Sequence, residues 1–440
     1  MYDSGTMTQK LIFVLPYPFY FKGANTFTGG HISHIIGVIE SLIKRGFEIE
    51  IISDLPVPNL VSHKLKYYPP CFMNIRNILR TKKANLIYKD SPESMVYQVQ
   101  KNNSRNPFFR VLCLTINILN RVLFLVGLFL TTWKRIHKGK CGYVYIRHNL
   151  NAFVPIIVSR LFGVPTIIEV NTPAGMGKFT HSNQLKRESH VKKRWREHVQ
   201  YANAKIISVV SPIIRDWIIE NYGRTYEARI LVNPNGVNLE RFCAQEKKDE
   251  IRKKLGVGED EIVFGMIASF VWYNAIEQLI ESFEKARDEV PDLRLILMGD
   301  SELRPYLEEH VRKRGLNRSV IFTGRVLFDD VPVYLDACDT LVSHFNYKGV
   351  LPHGGSIKHL EYMAMGKPVI ASKAGFVNFA ISHMSTGILV NEGDTASFAN
   401  AMVKLAKNPQ LRVALGKQAR KDAENFHSWD SNVDRILSKL

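Results

Sequence analysis

The sequence predicts an α/β protein of two doubly wound domains, each a parallel sheet with helices on both faces. Three observations carry this. Apolar runs of strand length alternate with amphipathic runs of helix length, and the alternation starts afresh after residue 230. At 440 residues the chain is too long for one ordinary hydrophobic core. Where the two series meet, Asn233-Pro-Asn-Gly-Val237 is turn chemistry. The expected division is residues 1–230, residues 231–415, and a helical tail over 416–440 in which Trp429 must find burial.

Leu11-Ile-Phe-Val-Leu15 reads as a buried first strand. A loop rich in Gly, Thr and aromatic residues follows. His31 to Arg45 is then an amphipathic helix with Ile32, Ile35, Ile36, Ile39, Leu42 and Ile43 on one stripe. Gly46 stops it, and Ile49 to Ser53 completes a βαβ unit. Residues 60–110 are less regular. Strands are expected from Tyr143 to Ile146, Thr166 to Val170 and Ile206 to Val210, with helices from Val154 to Phe162, Leu185 to Val199 (very basic) and Pro212 to Tyr222. Residues 175–182 read as a mobile loop. In the second series a charged helix from Asp249 to Leu255 leads in. Strands from Ile262 to Ala268, Leu293 to Met298, Val320 to Phe322 and Thr340 to Ser343 then alternate with helices from Ile276 to Val290, Glu302 to Arg314 and Val331 to Cys338.

Hydrophobic residues at 45% and charged residues at 23% are the balance of a globular protein. The 59 Lys and Arg against 41 Asp and Glu leave a formal net charge of +18, which calls for an anionic partner: nucleic acid, acidic lipid or a phosphorylated substrate. No ordered aromatic–basic platform accompanies the charge, so nucleic acid is not expected. The five cysteines, Cys71, Cys113, Cys141, Cys243 and Cys338, are scattered without CxxC spacing and read as reduced thiols of a cytosolic protein, without zinc or disulfides. Residues 1–10 carry no signal-peptide core.

The segment 108–140 stands apart. Val122 to Trp133 is strongly apolar but shorter than the roughly 20 residues that span a bilayer. Arg110, Asn117, Asn120 and Arg121 interrupt the apolar stretch before it, and Lys134, Arg135, His137, Lys138 and Lys140 follow. It reads as a core helix, or as an interfacial helix with a basic rim against anionic lipid, with a spanning helix as the remaining alternative.

The most informative stretch runs from Gly354 to Ser372. Gly354, Gly355 and Ser356 form a flexible lead-in with an N-cap residue, and Leu360, Met363 and Ala364 recur at helical spacing. Gly366 and Pro368 stop the helix, and Val369 to Ala371 is a short strand. A helix start leaves free N–H groups at the positive end of the dipole, a permissive anion site. Lys358 and Glu361, three apart, share one face. The pair suits a nucleotide's diphosphate and ribose, or is a surface ion pair.

In order along the chain, Thr28-Gly-Gly-His31, Lys44-Arg-Gly-Phe47, Tyr145-Ile-Arg147, Pro165, Ile168-Glu-Val-Asn171, Val210-Ser211, Pro234-Asn-Gly-Val237 with Phe242, Ser269-Phe-Val-Trp272, Gly299, Phe322-Thr-Gly324, Asp339, the Gly354–Ser372 stretch and Glu424-Asn-Phe-His-Ser-Trp429 resemble the retaining glycosyltransferases of family 4. The resemblance implies a GT-B fold: two Rossmann-like domains facing a cleft, with the last helix crossing back to the first domain. It also implies transfer of a sugar from a nucleoside-diphosphate sugar to a glycan acceptor. By similarity Glu361 would hold the donor ribose. Lys358 and the amides of Ser356 and Ile357 would neutralise the diphosphate. Gly354, Gly355, Ser269, Asn274 and Arg325 would complete the donor site, and Gly29 and Gly30 would approach it from the first domain. His31, Asn171 and Lys358 are the candidate catalytic residues. His31 lines the acceptor side or is a surface histidine at a helix start, and Arg147 faces an anion or pairs with Glu169. No metal and no cofactor beyond the donor is expected. The charge and the 108–140 segment add a lipid-linked or membrane-proximal acceptor and a cytoplasmic enzyme at the inner face of a membrane.

Two departures keep an alternative open. Many family members have a Glu-x7-Glu pair, and its first position here is His353, which puts the donor-sugar contact in doubt. Ala268, Asn274 and Ala275 stand where relatives commonly have Gly, a basic residue and Gly. The alternative is a degenerate GT-B module that binds nucleotide, or a partner subunit, without turnover.

Overall fold

Every strand expected from the sequence forms in the computed structural model, which describes residues 9–16, 30–53, 65–71, 107–139, 141–174, 176, 190–346 and 357–440. The first sheet has seven strands: β1 (Lys10–Val14), β2 (Glu48–Ile52), β3 (Lys66–Tyr68), β4 (Cys141–Arg147), β5 (Thr166–Val170), β6 (Ile206–Val209) and β7 (Ile230–Val232). The second has six: β8 (Ile262–Ile267), β9 (Leu293–Met298), β10 (Val320–Gly324), β11 (Thr340–Ser343), β12 (Val369–Ser372) and β13 (Gly387–Val390). Their orders are β3-β2-β1-β4-β5-β6-β7 and β10-β9-β8-β11-β12-β13, with neighbouring strands parallel. Each sheet therefore reverses its winding once, between β1 and β4 and between β8 and β11. Right-handed crossovers put the helices before and after that point on opposite faces, so the loops there part and leave a crevice at the carboxyl ends of the strands.

The helices are α1 (Gly30–Lys44), α2 (Pro107–Lys138), α3 (Phe153–Leu161), α4 (His190–Asn203), α5 (Pro212–Tyr222), α6 (Lys248–Lys254), α7 (Ile276–Glu289), α8 (Arg304–Lys313), α9 (Val331–Asp336), α10 (Ile357–Ala364), α11 (Val377–Ala380), α12 (Thr395–Lys407), α13 (Pro409–Phe426) and α14 (Trp429–Leu437). The period-2 alternation of the strands sorts the core into faces. Leu11, Phe13 and Tyr145 join one apolar cluster, while Ile12, Val14 and Val144 join the opposite one.

The structure corrects two expectations. Val122 to Trp133 is not a short separate run but the middle of one continuous 32-residue helix, α2. Arg121 and Asn120 do not interrupt it, because a polar side chain on an unburied helix face needs no partner in the core. From Leu114 to Lys138 it is, by length and composition, apolar enough to cross a membrane. Its inner face is nevertheless packed on the first sheet. Phe124, Leu128 and Ile136 are buried, and a Cβ on Gly127 would overlap the carbonyl of Cys71. Arg135 donates two hydrogen bonds to Glu50, at 2.8 and 2.6 Å, and Lys10 Nζ lies 2.7 Å from the same carboxylate. Second, β3, β7, β13, α11 and α12 are absent from the sequence reading. The first four span only three or four residues each, too few for a periodicity to show. α12 opens on Asp394, whose carboxylate accepts from the Ser397 N–H at 2.9 Å.

The end of the chain crosses back to the first sheet. Trp429, Val433 and Ile436 of α14 share a cluster with Leu11, Phe13, Ile35 and Ile39. Trp429 is 4% exposed. It is seated against two glycines: a Cβ on Gly37 of α1 would overlap the indole, and one on Gly236 would come within 2.6 Å of the Trp429 backbone. A polar seam borders the contact. Ser41 donates to Asp430 at 2.6 Å, and Arg45 donates to Asp434 at 2.5 and 2.6 Å. Gly37→Ala should therefore destabilise the protein by about 1–3 kcal/mol through overpacking, and Trp429→Ala by about 3–5 kcal/mol. Chemical denaturation of both variants and their combination checks this. In the Trp429→Ala background Gly37→Ala should cost little, and full additivity would show that the indole is not what the glycine accommodates.

Candidate functional site

The switch point of the second sheet lies between the loop leaving β8 and the loop leaving β11. The first of these is stiff. Asn274 is buried and its Nδ2 donates to the Ser269 carbonyl at 2.7 Å. Ala275 takes the left-handed conformation, φ 44 and ψ 43, where the chain turns into α7. A Cβ on Gly299 would overlap the Ala268 carbonyl, so only glycine lets the end of β9 pass beneath this loop. The two loops are joined by the Asn346 N–H, which donates to the Tyr273 carbonyl at 3.2 Å.

Lys358 rises from the first turn of α10 into this corner. Its Nζ donates to Asn274 Oδ1 at 3.5 Å and stands 4.6 Å from the centre of the Phe345 ring. Burial lowers its pKa to about 7, against the weaker upward pull of Glu361. Glu361, one turn on, is 8% exposed. Burial raises its pKa to about 7, opposed by the charges of Arg241 and Lys358 and by a hydrogen bond from Ser33 of α1. Both groups are thus pushed toward their neutral forms. Arg241 itself lies over the Phe328 ring at 3.7 Å and donates to Asp329 at 2.8 Å. A pocket lined by Ser33, Glu40, Asn238, Arg241, Ile357 and Glu361 opens between α1 and α10, joining elements of both sheets. Ile357 belongs to the apolar cluster of the first sheet.

On the first sheet, the ends of β4 and β5 meet at Glu169. Its carboxylate accepts from Tyr145 Oη at 2.5 Å and from Asn171 Nδ2 at 2.5 Å, and lies 2.7 Å from His34 Nε2. Burial pushes this carboxyl up, but the adjacent His34, the nearby Arg147 charge and the Tyr145 hydroxyl outweigh it and hold it down to about 2. Burial lowers the pKa of His34, against the upward pull of the Glu169 carboxylate beside it. The His34 ring packs edge-on to Trp429 at 4.7 Å, which links this network to α14.

The structure brings Ile357, Lys358, Glu361, Asn274 and the Ser269 carbonyl into one corner. Gly30 and His31 open α1, and Asn171 follows β5 with its amide turned to Glu169. Arg325 follows β10, is exposed, and is separated from the switch point by β9. Gly29, His353, Gly354, Gly355 and Ser356 lie outside the described residues. Sequence reasoning missed Ser33, Arg241, Phe345 and His34. Only Ser33 carried a signal, three residues after Gly30 on the first turn of a helix already assigned to the cleft.

A left-handed alanine carries about 1–2 kcal/mol of backbone strain. Ala275→Gly should release part of it and raise the melting temperature, with a gain of about 1 kcal/mol expected. A drop in thermal unfolding would show instead that the buried methyl contributes more by packing than it costs in strain.

Two family models match in tandem. "Glycosyltransferase Family 4" covers residues 28–241 and "Glycosyl transferases group 1" covers residues 247–422. The chain is 27% identical over 249 residues to an uncharacterised glycosyltransferase of Methanocaldococcus jannaschii, covering 54% of this chain and 62% of that one, less than two thirds of its length. It is 25% identical over 362 residues, 80% of this chain and 87% of the other, to the Escherichia coli UDP-Gal:alpha-D-GlcNAc-diphosphoundecaprenol alpha-1,3-galactosyltransferase. The crystal structure of Anabaena HepE in complex with UDP-glucose superposes with a TM-score of 0.66 at 17% identity, over 98% of this chain and all of that one, and shows the same fold. With one family model on each of its two sheets and a GT-B neighbour across its whole length, the chain belongs to the group 1, family 4 type of GT-B glycosyltransferases.

Proposed function

We propose that the protein transfers a sugar from a nucleoside-diphosphate sugar, with retention of anomeric configuration and without a metal ion, to a lipid-linked glycan acceptor on the cytoplasmic side of a membrane. The observation that carries the donor reading is the Lys358–Glu361 corner. A half-buried cation and a buried carboxylate sit one turn apart at a helix start, short of counter-charge. Water-excluded groups of this kind are destabilised until a ligand supplies what they lack. A diphosphate would supply the anion for Lys358, alongside the orphan N–H groups that open α10. Ribose hydroxyls would donate to Glu361.

The chemistry follows from that placement. As the bond between the sugar's anomeric carbon and the phosphate oxygen breaks, positive charge grows on the sugar and negative charge on the leaving diphosphate. Lys358 and the helix start stand where the negative charge collects, so they favour the transition state over the bound ground state. The ammonium does what a divalent cation would do. Among the described residues no group of three or more His, Cys, Asp and Glu comes together as a metal cluster. The lipid-linked acceptor rests on the Escherichia coli relative, whose name gives a diphosphoundecaprenol-linked sugar as its acceptor.

One observation favours the second reading, a nucleotide-binding GT-B subunit without turnover. The Asn274 amide is spent on Ser269 and Lys358, so it replaces no phosphate-binding cation of the relatives.

A calorimetric titration with UDP, GDP and ADP tests the donor site. One nucleotide should bind at neutral pH. Lys358→Ala should weaken it by roughly ten- to a hundredfold, the value of a charged hydrogen bond, and Glu361→Ala by a comparable factor. The free Lys358 is protonated below about 7 and loses its proton above it. Affinity should therefore fall as pH rises past 7, with proton uptake on binding at pH above that point, and Lys358→Ala should remove both effects. No binding of any nucleotide would refute the donor site. Binding without release of nucleotide from any donor sugar in the presence of acceptor glycans would select the second reading.

A further inference from the structure

We propose that α2 is a membrane-docking helix that lies in the plane of an anionic bilayer, its outer face inserted and its inner face still fixed to the first sheet. Ile118, Leu119, Val122, Val126, Phe129 and Trp133 are 55%, 45%, 49%, 43%, 40% and 41% exposed. At about 100° per residue these six fall within an arc of about 100° on one side of the helix. The patch continues beyond the helix. Leu161 and Phe162, at the end of α3, are 68% and 43% exposed. His137 spans the gap, stacked on Trp133 at 5.8 Å and edge-on to Phe162 at 6.4 Å. Two elements therefore present one apolar surface, larger than scattered surface hydrophobics account for.

Charge identifies the occupant. α2 contains no Asp or Glu. Exposed Arg121 and Lys134 flank its apolar stripe on either side, exposed Lys138 closes the last turn of the helix, and exposed Arg160 sits beside Leu161. A second copy on this face would set basic rim against basic rim. An anionic headgroup layer complements the rim while acyl chains take the stripe.

The inner face decides between lying in and crossing the membrane. Length alone permits crossing. To cross, however, α2 would have to leave the sheet, which would break the paired hydrogen bonds from Arg135 to Glu50. Glu50 is 1% exposed and would lose its bidentate partner in place. The Thr131 hydroxyl accepts from the Cys71 N–H at 3.0 Å and would lose that donor too. The helix is held flat. This does not depend on the donor chemistry and is read without any turnover assay.

Flotation of the full chain with phosphatidylcholine vesicles, with and without phosphatidylglycerol, tests it. The protein should float with the anionic vesicles at low salt and be released by an alkaline carbonate wash. The double variant V122E/F129E, altered only at exposed positions, should bind about tenfold or more weakly while its thermal unfolding in solution stays unchanged. K134Q/K138Q should lose much of the salt-sensitive binding, by about tenfold. Absence of flotation at low salt, or equal binding by V122E/F129E, would overturn the proposal. Resistance to carbonate would show a spanning helix instead. A dimer in sedimentation that dissociates on V122E/F129E would assign the face to a second copy.

Discussion

The arrangement of this molecule depends on where one indole goes. Trp429 comes from the last helix, yet it completes the core of the first sheet, pressed between Gly37 and Gly236. Closing so long a loop costs little more than closing a short one, because loop entropy grows only with the logarithm of length. In return α1 is clamped from behind. Its cleft-facing side presents Ser33 to Glu361, and Ile357 of α10 joins the same apolar cluster. The register of α1 against α10, and so the width of the cleft at the Lys358 corner, is set by contacts that begin at the chain's far end.

Two buried glutamates show how partners, not burial, assign a role. Glu169 is 3% exposed and Glu361 is 8% exposed. Desolvation acts on both in the same direction. Glu169 accepts from Tyr145 and Asn171, has His34 of α1 at 2.7 Å and Arg147 nearby, and is held ionised. Glu361 has one hydroxyl donor and more distant charges, and rises to about 7. A saturated carboxylate is a structural tie between strand ends. An under-saturated one beside a half-buried lysine has acceptor capacity to spare, which is what the proposed ribose contact would use.

The sequence made the frame legible because parallel strands buried on both faces are continuous apolar runs. Leu293–Met298 and Thr340–Ser343 could be read to the residue for that reason. Short edge pieces such as Lys66–Tyr68 and Val377–Ala380 had no period to read. α2 was misjudged because its polar residues were taken as breaks, whereas a helix tolerates them wherever they face outward. At the site, Lys358 and Glu361 were legible as an i, i+3 pair, since that relation is local. Ser33, Arg241 and Phe345 were not, because Ser33 comes from the first sheet's α1 while Arg241 and Phe345 reach the pair from loops distant from it in sequence. The Glu169 network was half legible: Arg147 and Glu169 could be paired from neighbouring strand ends, but His34 arrives from α1.

The departures from the family pattern then acquire a physical meaning. The family resemblance implies glycine where Ala268 and Ala275 stand and a cation near Asn274. Here Ala275 keeps the left-handed turn that glycine adopts more easily, and Asn274 closes the loop on itself through Ser269. The loop leaving β8 is therefore shaped but uncharged. Positive charge for a diphosphate must come from the other side of the switch point, and there Lys358 is held by Asn274 Oδ1 and the Phe345 face, neither of which carries a negative charge. Losing the loop's cation does not abolish an anion site. Under the donor reading proposed above, it would concentrate the site on one lysine whose protonation sits near neutrality, and so make donor binding more sensitive to pH than a two-cation arrangement would be.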